Sequence, residues 1–261
     1  MESNAQFDVY AAFYNLLYKD KNYKAEADYI DALISRYARL PSTEVELLDL
    51  ACGTGRHLQE LSKKGYKHLS GSDISKAMID VATETSASAG FDVQYYNHSF
   101  QNSNRIERKF DVVLSMFSAV NYITNFEDQS LTLRNIRNLL KPDGIFAFDY
   151  WNGNAVVESY SPVKVLRKKD GDAEIMRISE TSIDLIKQDA TVKFTCMFTK
   201  NEQRHDEFTE VHHLHYYYFS EMLNLLKSHQ FEVVHMSPFM HIDKEVAPKE
   251  WNISIVAKRI S

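Results

Sequence analysis

Short apolar runs alternate with helical patterns through the middle of the chain. Between residues 47 and 149, short runs of five to seven residues, most of them rich in apolar side chains, predict strands, and apolar positions at helical spacing separate them. This alternation predicts an α/β fold with a parallel sheet whose ligands bind beyond the carboxyl ends of the strands. The predicted strands are residues 47–51, 69–75, 91–96, 110–116 and 144–149. The predicted helices include residues 58–61 and 78–82, with Gly65 and Gly90 after them, and residues 127–140.

The pattern differs on both sides of this core. Residues 7–24 are rich in aromatic side chains at helical spacing, and a helix is expected over residues 26–39. Residues 1–40 are therefore interpreted as an N-terminal helical lid, with plain packing on the core as the alternative for the aromatic segment. After Trp151, an antiparallel insertion over the active site is predicted within residues 160–220, from four β segments at 164–166, 173–186, 190–199 and 207–219. A helix at 220–229 and strands at 231–236 and 252–258 complete one domain, 1–261.

Two features of the first two strands predict a nucleoside site. Gly53 and Gly55 form a turn after the first strand, where bare backbone can approach a ligand and the next helix begins. Asp73 ends the second strand, where a carboxylate can accept both hydroxyls of a ribose. Leu58 replaces the third glycine of a dinucleotide fingerprint, and the Gly-Lys-Ser/Thr of a phosphate loop is absent.

These segments resemble the motifs of a known family. Residues 49–55 (DLACGTG) and 71–78 (GSDISKAM) are similar to the first two motifs of the class I S-adenosylmethionine (SAM)-dependent methyltransferases. The resemblance implies a Rossmann-like, seven-stranded, mostly parallel sheet and SAM as cofactor. His98 stands where the family usually has an acid that binds adenine. The residues expected to bind SAM are Asp49, Ala51, Gly53, Thr54, Gly55, Asp73, Ile74, Met78, His98, Ser99 and Met116.

Other segments, including residues 13–16, 116–122 and 148–151, resemble the small-molecule group of this family. That group includes bacterial N,N-dimethyltransferases of nucleotide-linked amino sugars, in which a tyrosine and a histidine line the reacting centre. Tyr14 matches the tyrosine, and Tyr122 replaces the histidine. No glycine-rich segment with arginine near the C-terminus matches a diphosphate site, and Lys244 is the nearest candidate. The expected catalytic residues are Tyr14, Tyr122 and Asp149, and the expected substrate-binding residues are Tyr10, Phe117, Trp151, His213 and His215.

The resemblance favours N-methylation of a small molecule, with O-methylation of a hydroxyl as the alternative. A SAM-binding protein without catalysis also stays open. Nucleic-acid methylation is disfavoured by the net charge of −6 and by the lack of an Asn-Pro-Pro-Tyr-type motif after the fourth strand. No metal site is expected, because His213 and His215 offer too few ligands for zinc.

The composition indicates the class of protein and its expected cellular compartment. The chain has 261 residues, of which 44% are hydrophobic and 25% charged, as in ordinary globular proteins. Its two cysteines, Cys52 and Cys196, favour a reducing compartment. No apolar run reaches transmembrane length, and residues 1–4 lack the features of a signal peptide. A cytoplasmic enzyme without nucleic-acid or membrane partners is expected, and a homodimer is compatible with the sequence.

Overall fold

The computed structural model describes residues 17–201 and 203–260. Seven strands form a mixed sheet with the order β10-β11-β5-β4-β1-β2-β3, in which β11 runs antiparallel to both of its neighbours. The predicted seven-stranded, mostly parallel sheet is confirmed. Its strands are β1 (Glu46–Leu50), β2 (His68–Ser72), β3 (Val93–Tyr96), β4 (Phe110–Ser115), β5 (Leu140–Trp151), β10 (Phe231–Pro238) and β11 (Asn252–Arg259).

Helices cover both faces of this sheet. Short polar side chains start four of them: Asn22, Ser75, Asn125 and Asn152 each accept a hydrogen bond from a backbone N–H in the first turn. The helices are α1 (Tyr23–Tyr37), α2 (Arg56–Lys63), α3 (Lys76–Ser88), α4 (Phe126–Leu139), α5 (Gly153–Ser159) and α6 (Phe219–Ser228).

The core lies in two layers because side chains alternate along each buried strand. Leu47 of β1 belongs to the layer under α1 and α2, and its neighbour Leu48 belongs to the layer under α4 and α6. Ile30 and Leu33 of α1 are almost fully buried in the first of these layers. Residues 23–37 of the predicted lid are therefore a core helix, while residues 1–16 lie outside the described part of the chain.

A second, four-stranded antiparallel sheet follows β5 and α5, which confirms the predicted insertion. It has the order β6-β7-β8-β9, and its strands pair through hairpins. The strands are β6 (Val163–Asp170), β7 (Ala173–Asp184), β8 (Asp189–Lys200) and β9 (Gln203–His215).

Two details differ from the prediction. Helix α5 was not predicted, because seven residues are too few to show a helical period. Strand β6 has eight residues, whereas only residues 164–166 were predicted. Among the described helices, none combines the length and apolar character needed to cross a membrane.

Candidate active site

A cavity of about 580 Å³ lies between the carboxyl ends of the parallel strands and one face of the four-stranded sheet. It has two halves with different walls. The glycine-loop half is lined by Ala51, Gly53, Asp73, Ile74, Met78, His98, Ser99 and Met116. The insertion half is lined mainly by Tyr122, Trp151, Lys164, Arg177, Ser179, Thr181, Val192, Phe194, His212, Leu214 and Trp251.

The loop after β1 presents bare backbone to the cavity. Ala51, Gly53 and Gly55 have φ values of 61°, 55° and 72°, in the left-handed region that favours glycine. A Cβ on Gly53 would meet nothing within 4 Å. In contrast, a Cβ on Gly71 would lie 2.8 Å from Leu58 Cδ1, so the glycine of β2 allows close packing behind the loop. The space over Gly53 is thus available to a ligand.

Asp73 closes this loop from the end of β2. Its Oδ2 accepts the Gly53 N–H at 2.9 Å, and its Oδ1 accepts the Ser75 N–H at 2.9 Å. Burial raises the pKa of Asp73, and the backbone donors oppose that rise. Each carboxylate oxygen can accept a second hydrogen bond, so the group can still bind a pair of hydroxyls from the cavity side.

Asp49 lies beneath the loop without a hydrogen-bond partner for either carboxylate oxygen among the described residues. Burial raises its pKa to about 6; His57 opposes the rise and Asp73 adds to it. A buried carboxylate without a partner is costly unless a cation or donor meets it. This environment fits an ammonium group placed over the loop, as in the methionine part of SAM.

The end of β3 closes the glycine-loop half on its other side. Asn97 Nδ2 donates to the carbonyl oxygens of Asp73 and Ile74, at 2.9 Å each. Ser72 Oγ donates to the His98 carbonyl at 2.9 Å. These bonds hold His98 and Ser99 at the cavity wall, beside Asp73.

The loop after β4 joins the two halves. Phe117 and Ser118 have φ values of 65° and 56°, and the Ser118 hydroxyl donates to Asp149 Oδ2 at 2.7 Å. Asp149 is fully buried, and burial raises its pKa although Ser118 opposes this. Asn121 is also buried; its amide donates to the His215 carbonyl and accepts from the Trp151 N–H at 3.2 Å. Asn121 therefore fixes the neighbouring Tyr122 between β5 and β9.

Aromatic rings and cations line the outer part of the insertion half. Trp151 and Trp251 meet edge to face, with ring centroids 5.6 Å apart. Lys164 Nζ lies 5.7 Å from the centroid of the Trp251 ring. Deeper in the cavity, Arg177 lies over the Phe194 ring at 4.6 Å and donates to the Tyr18 hydroxyl at 3.0 Å. This wall is suited to a planar ring and a negative group.

The structure brings most of the predicted residues to one cavity. Of the residues expected to bind SAM, only Asp49, Thr54 and Gly55 do not line it. Thr54 borders a small adjoining cavity of about 40 Å³, and Asp49 and Gly55 lie below the loop surface. Phe117, Tyr122 and Trp151 line the main cavity, Asp149 reaches it through Ser118, and Tyr10 and Tyr14 fall outside the described residues.

The placement predicted for His213 and His215 is corrected. His213 is exposed on the far face of β9, and His215 is buried between Asp189 and Glu221. Alternation along the strand turns His212 and Leu214 to the cavity instead. No described group of three histidine, cysteine or acidic side chains is arranged to hold a metal ion.

Sequence reasoning missed His212, Lys164, Arg177 and Trp251 as cavity residues. The alternation of β9 showed that His212 opposes His213 and His215, but it could not show which face meets the cavity. Trp251 and Lys164 come together only through the tertiary fold, since 87 positions separate them in the chain. Contacts between distant parts of the chain bring these residues to the cavity, so no local sequence motif identifies them.

Comparisons with known proteins agree with this geometry. Residues 47–144 match a family model described as a methyltransferase domain. The chain is 30% identical, over 206 residues, to dTDP-3-amino-3,4,6-trideoxy-alpha-D-glucopyranose N,N-dimethyltransferase of Streptomyces venezuelae, covering 78% of this chain and 81% of that protein. A putative methyltransferase of Bacillus subtilis (strain 168) is 25% identical, with 87% of each chain covered.

A solved structure shows the same fold. The crystal structure of a SAM-dependent methyltransferase from Clostridium acetobutylicum ATCC 824 superposes with a TM-score of 0.82, covering 98% of this chain and 99% of that one at 22% identity. The glycine loop, the acid at the end of β2 and the sheet order therefore indicate the same family as the 30% identity to the Streptomyces enzyme. The chain belongs to the class I SAM-dependent methyltransferases, with SAM as its cofactor.

Proposed function

We propose that the protein methylates the amino group of a nucleotide-linked amino sugar. The observation that carries this proposal is the 30% identity to the Streptomyces venezuelae N,N-dimethyltransferase, which extends well beyond residues 47–144. A likeness of that length includes parts of the chain outside the methyltransferase domain model. The insertion half of the cavity, with its rings and cations, supports the same class of substrate.

The glycine-loop half would hold SAM. Asp73 would accept the ribose hydroxyls, and Asp49 would face the ammonium group across the loop formed by Ala51, Gly53, Thr54 and Gly55. His98 and Ser99 would lie beside the adenine, and Ile74, Met78 and Met116 would supply apolar contacts. When bound, SAM supplies an activated methyl group on a sulfonium.

The residues around Tyr122 would orient the acceptor amine. An amine is already nucleophilic when neutral, so alignment and exclusion of water supply most of the catalysis. Phe117 and Tyr122 line the place where the two halves meet, and Asp149 holds Ser118 there. Trp151 lines the insertion half beyond them. Tyr10 and Tyr14 stay predictions for a lid formed by the N-terminal segment. In support, Tyr18 lines the cavity and meets Phe117 edge to face at 5.4 Å.

The outer part of the insertion half would hold the nucleotide. Trp251 offers a ring face for a base, and Lys164 offers a positive charge beside it for a phosphate. Lys244, the candidate from the sequence, is instead paired with Glu250 at 2.5 Å. The negative charge of the protein as a whole does not oppose this, because Lys164 and Arg177 are cations of the cavity itself.

Turnover against matched acceptors tests the proposal. The protein would be incubated with SAM and either a dTDP-linked 3-amino sugar or the same compound with a hydroxyl at that carbon, and products would be followed by mass spectrometry. Methyl transfer to the amine alone is expected. Transfer to the hydroxyl compound would favour O-methylation, and SAM binding without transfer to any acceptor in a wider panel would favour the non-catalytic alternative.

The setting of the reaction is also part of the proposal. We propose a cytoplasmic enzyme, since both cysteines are free and buried, and a small-molecule substrate without a nucleic-acid partner. A homodimer stays open, and the mass of the protein in solution, measured by light scattering, decides it.

A further inference from the structure

Three side chains form a continuous line from the cavity into the second sheet. The Tyr122 hydroxyl lies 2.9 Å from His212 Nδ1, and His212 Nε2 lies 3.3 Å from Glu210 Oε2. Tyr122 exposes 39% of its surface, at the cavity that it lines, whereas His212 and Glu210 expose only 1% and 7%. The line thus starts at the reacting centre and ends on a buried carboxylate.

The position of the carboxylate favours one tautomer of the neutral histidine. Glu210 Oε2 lies at ion-pair distance from His212 Nε2 without an aligned hydrogen bond, so its charge attracts a proton on that nitrogen electrostatically. Nδ1 of the neutral ring then carries a lone pair, and the Tyr122 hydroxyl donates to it. Burial raises the pKa of Tyr122, so the phenol keeps its proton in the resting state. The arrangement can pass a proton from the cavity to the imidazole without forming a free tyrosinate.

Residues on three strands and the loop before α1 surround this line. Glu210 of β9 pairs across the sheet with Phe194 of β8, and the Arg177 guanidinium of β7 lies over that Phe194 ring. Tyr18 bonds Arg177, and the buried thiol of Cys196 lies on the same face of β8. Among the described residues, Arg177 is therefore a cation on the side of Glu210, and the titratable groups near the line include Tyr18 and Cys196.

We propose that Tyr122, His212 and Glu210 form a proton relay that accepts the proton released by methyl transfer; this rests on the proposed function. As the N–CH₃ bond forms, the S–CH₃ bond breaks and its electron pair stays on sulfur. The new ammonium gives a proton to the Tyr122 oxygen, and the Tyr122 hydroxyl proton passes to His212 Nδ1. The positive charge of the sulfonium ends on the imidazolium beside Glu210. Tyr122 is the catalytic residue that touches the acceptor, and Glu210 is a positioning residue that acts through His212.

The protonation state of His212 tests the relay without any acceptor. In the ¹⁵N-labelled protein, the His212 nitrogens are assigned by their loss in His212→Asn, and their shifts report the tautomer. A proton on Nε2 and a bare Nδ1 are expected near neutral pH, with a smaller preference for that tautomer in Glu210→Gln. A proton on Nδ1 in the neutral ring would overturn the relay, because that atom could not then receive a proton.

Kinetics test whether the relay is used. With the dTDP-linked 3-amino sugar as acceptor, Tyr122→Phe and His212→Asn should each lower kcat by about 10²-fold, within the range for general acid–base catalysis. In Glu210→Gln, kcat should fall about 10-fold and the acidic limb of the pH–rate profile should move to lower pH, whereas Glu210→Asp should restore most of both. SAM affinity, measured by calorimetry, should stay unchanged.

The matched control is His213→Asn, which changes the neighbouring histidine on the exposed face of the same strand. It should keep the wild-type kcat and pH profile. A uniform loss of rate in Glu210→Gln with an unmoved pH profile would show a merely structural role and would contradict the relay. If the wild type methylates another acceptor instead, the proposed substrate fails, while the tautomer and the same variants on that acceptor still decide the relay.

Discussion

The two halves of the cavity are built in different ways. In the glycine-loop half, the bond from the Gly53 N–H to Asp73 Oδ2 joins residues 20 positions apart, within one βα unit. In the insertion half, the bond between Tyr122 and His212 joins residues 90 positions apart, one in the loop after β4 and the other on β9. The first half depends on a turn and two strand ends, and the second depends on the register of four long strands.

This difference separates two kinds of function. A loop of fixed backbone geometry is suited to a cofactor whose shape does not vary, because its contacts come from main-chain groups and one carboxylate. On a sheet surface, substitution of a side chain changes the chemistry of the wall, while the backbone of the sheet keeps its shape. We infer that the glycine-loop half determines the type of reaction and that the insertion half determines the acceptor. Variants in the two halves should then affect different constants.

The largest effect is expected at Asp73 in the glycine-loop half. Asp73→Ala removes the charged acceptor for the ribose and the bond that holds Gly53, so SAM binding should weaken by about 2–4 kcal/mol. Isothermal titration calorimetry with SAM measures this. The control is Asp80→Ala, since Asp80 lies on the exposed side of α3 and pairs only with Lys76 in the described structure. Equal SAM affinity in wild type and Asp73→Ala would contradict the placement.

A smaller and separate effect is expected at Trp251 in the insertion half. Trp251→Ala removes a ring face worth about 1–3 kcal/mol to a stacked base, so the KM for a nucleotide-linked acceptor should rise about 10-fold. SAM affinity should not change. The control is Phe126→Ala, because Phe126 is an equally apolar ring that is 65% exposed and does not line the cavity. A change in SAM affinity with no change in the KM for the acceptor would contradict the inference that the two halves bind different ligands.

The same division explains what could be predicted from the sequence. The parallel strands and the positions of Gly53 and Asp73 were predictable, because apolar runs and a glycine turn are local signals. The histidines of β9 were not. His212 and His213 are adjacent, and a shift of one residue in register exchanges the two faces of a strand. Only the pairing of Val192 with His212 places that side chain at the cavity.

Helix α5 and the Trp151–Trp251 contact illustrate the same limit. The Gly153 N–H donates to the Tyr217 carbonyl, and the Asn152 amide donates to carbonyls at residues 248 and 250. The chain after β5 therefore takes its conformation from residues more than 60 positions away. No propensity of residues 153–159 contains that information, so neither the helix nor the ring pair beside it could be predicted locally.

The smallest effect is expected at His215, which holds the end of β9 in the insertion half. Its Nε2 lies 2.9 Å from Glu221 and its Nδ1 lies 3.2 Å from Asp189. Burial lowers the pKa of His215, but the two carboxylates outweigh burial and the net shift is upward. A raised pKa in the folded state stabilises the fold fully below the unfolded value of about 6.5, and this contribution is lost as the pH rises through the folded pKa. The difference in Tm between wild type and His215→Gln should therefore shrink from acidic to alkaline pH, from a starting value of about 2–4 °C for a chain of this size. The control, His213→Gln on the exposed face, should have the wild-type Tm at every pH. A Tm difference between wild type and His215→Gln that stayed constant with pH would show that His215 stabilises this half by packing and not by charge.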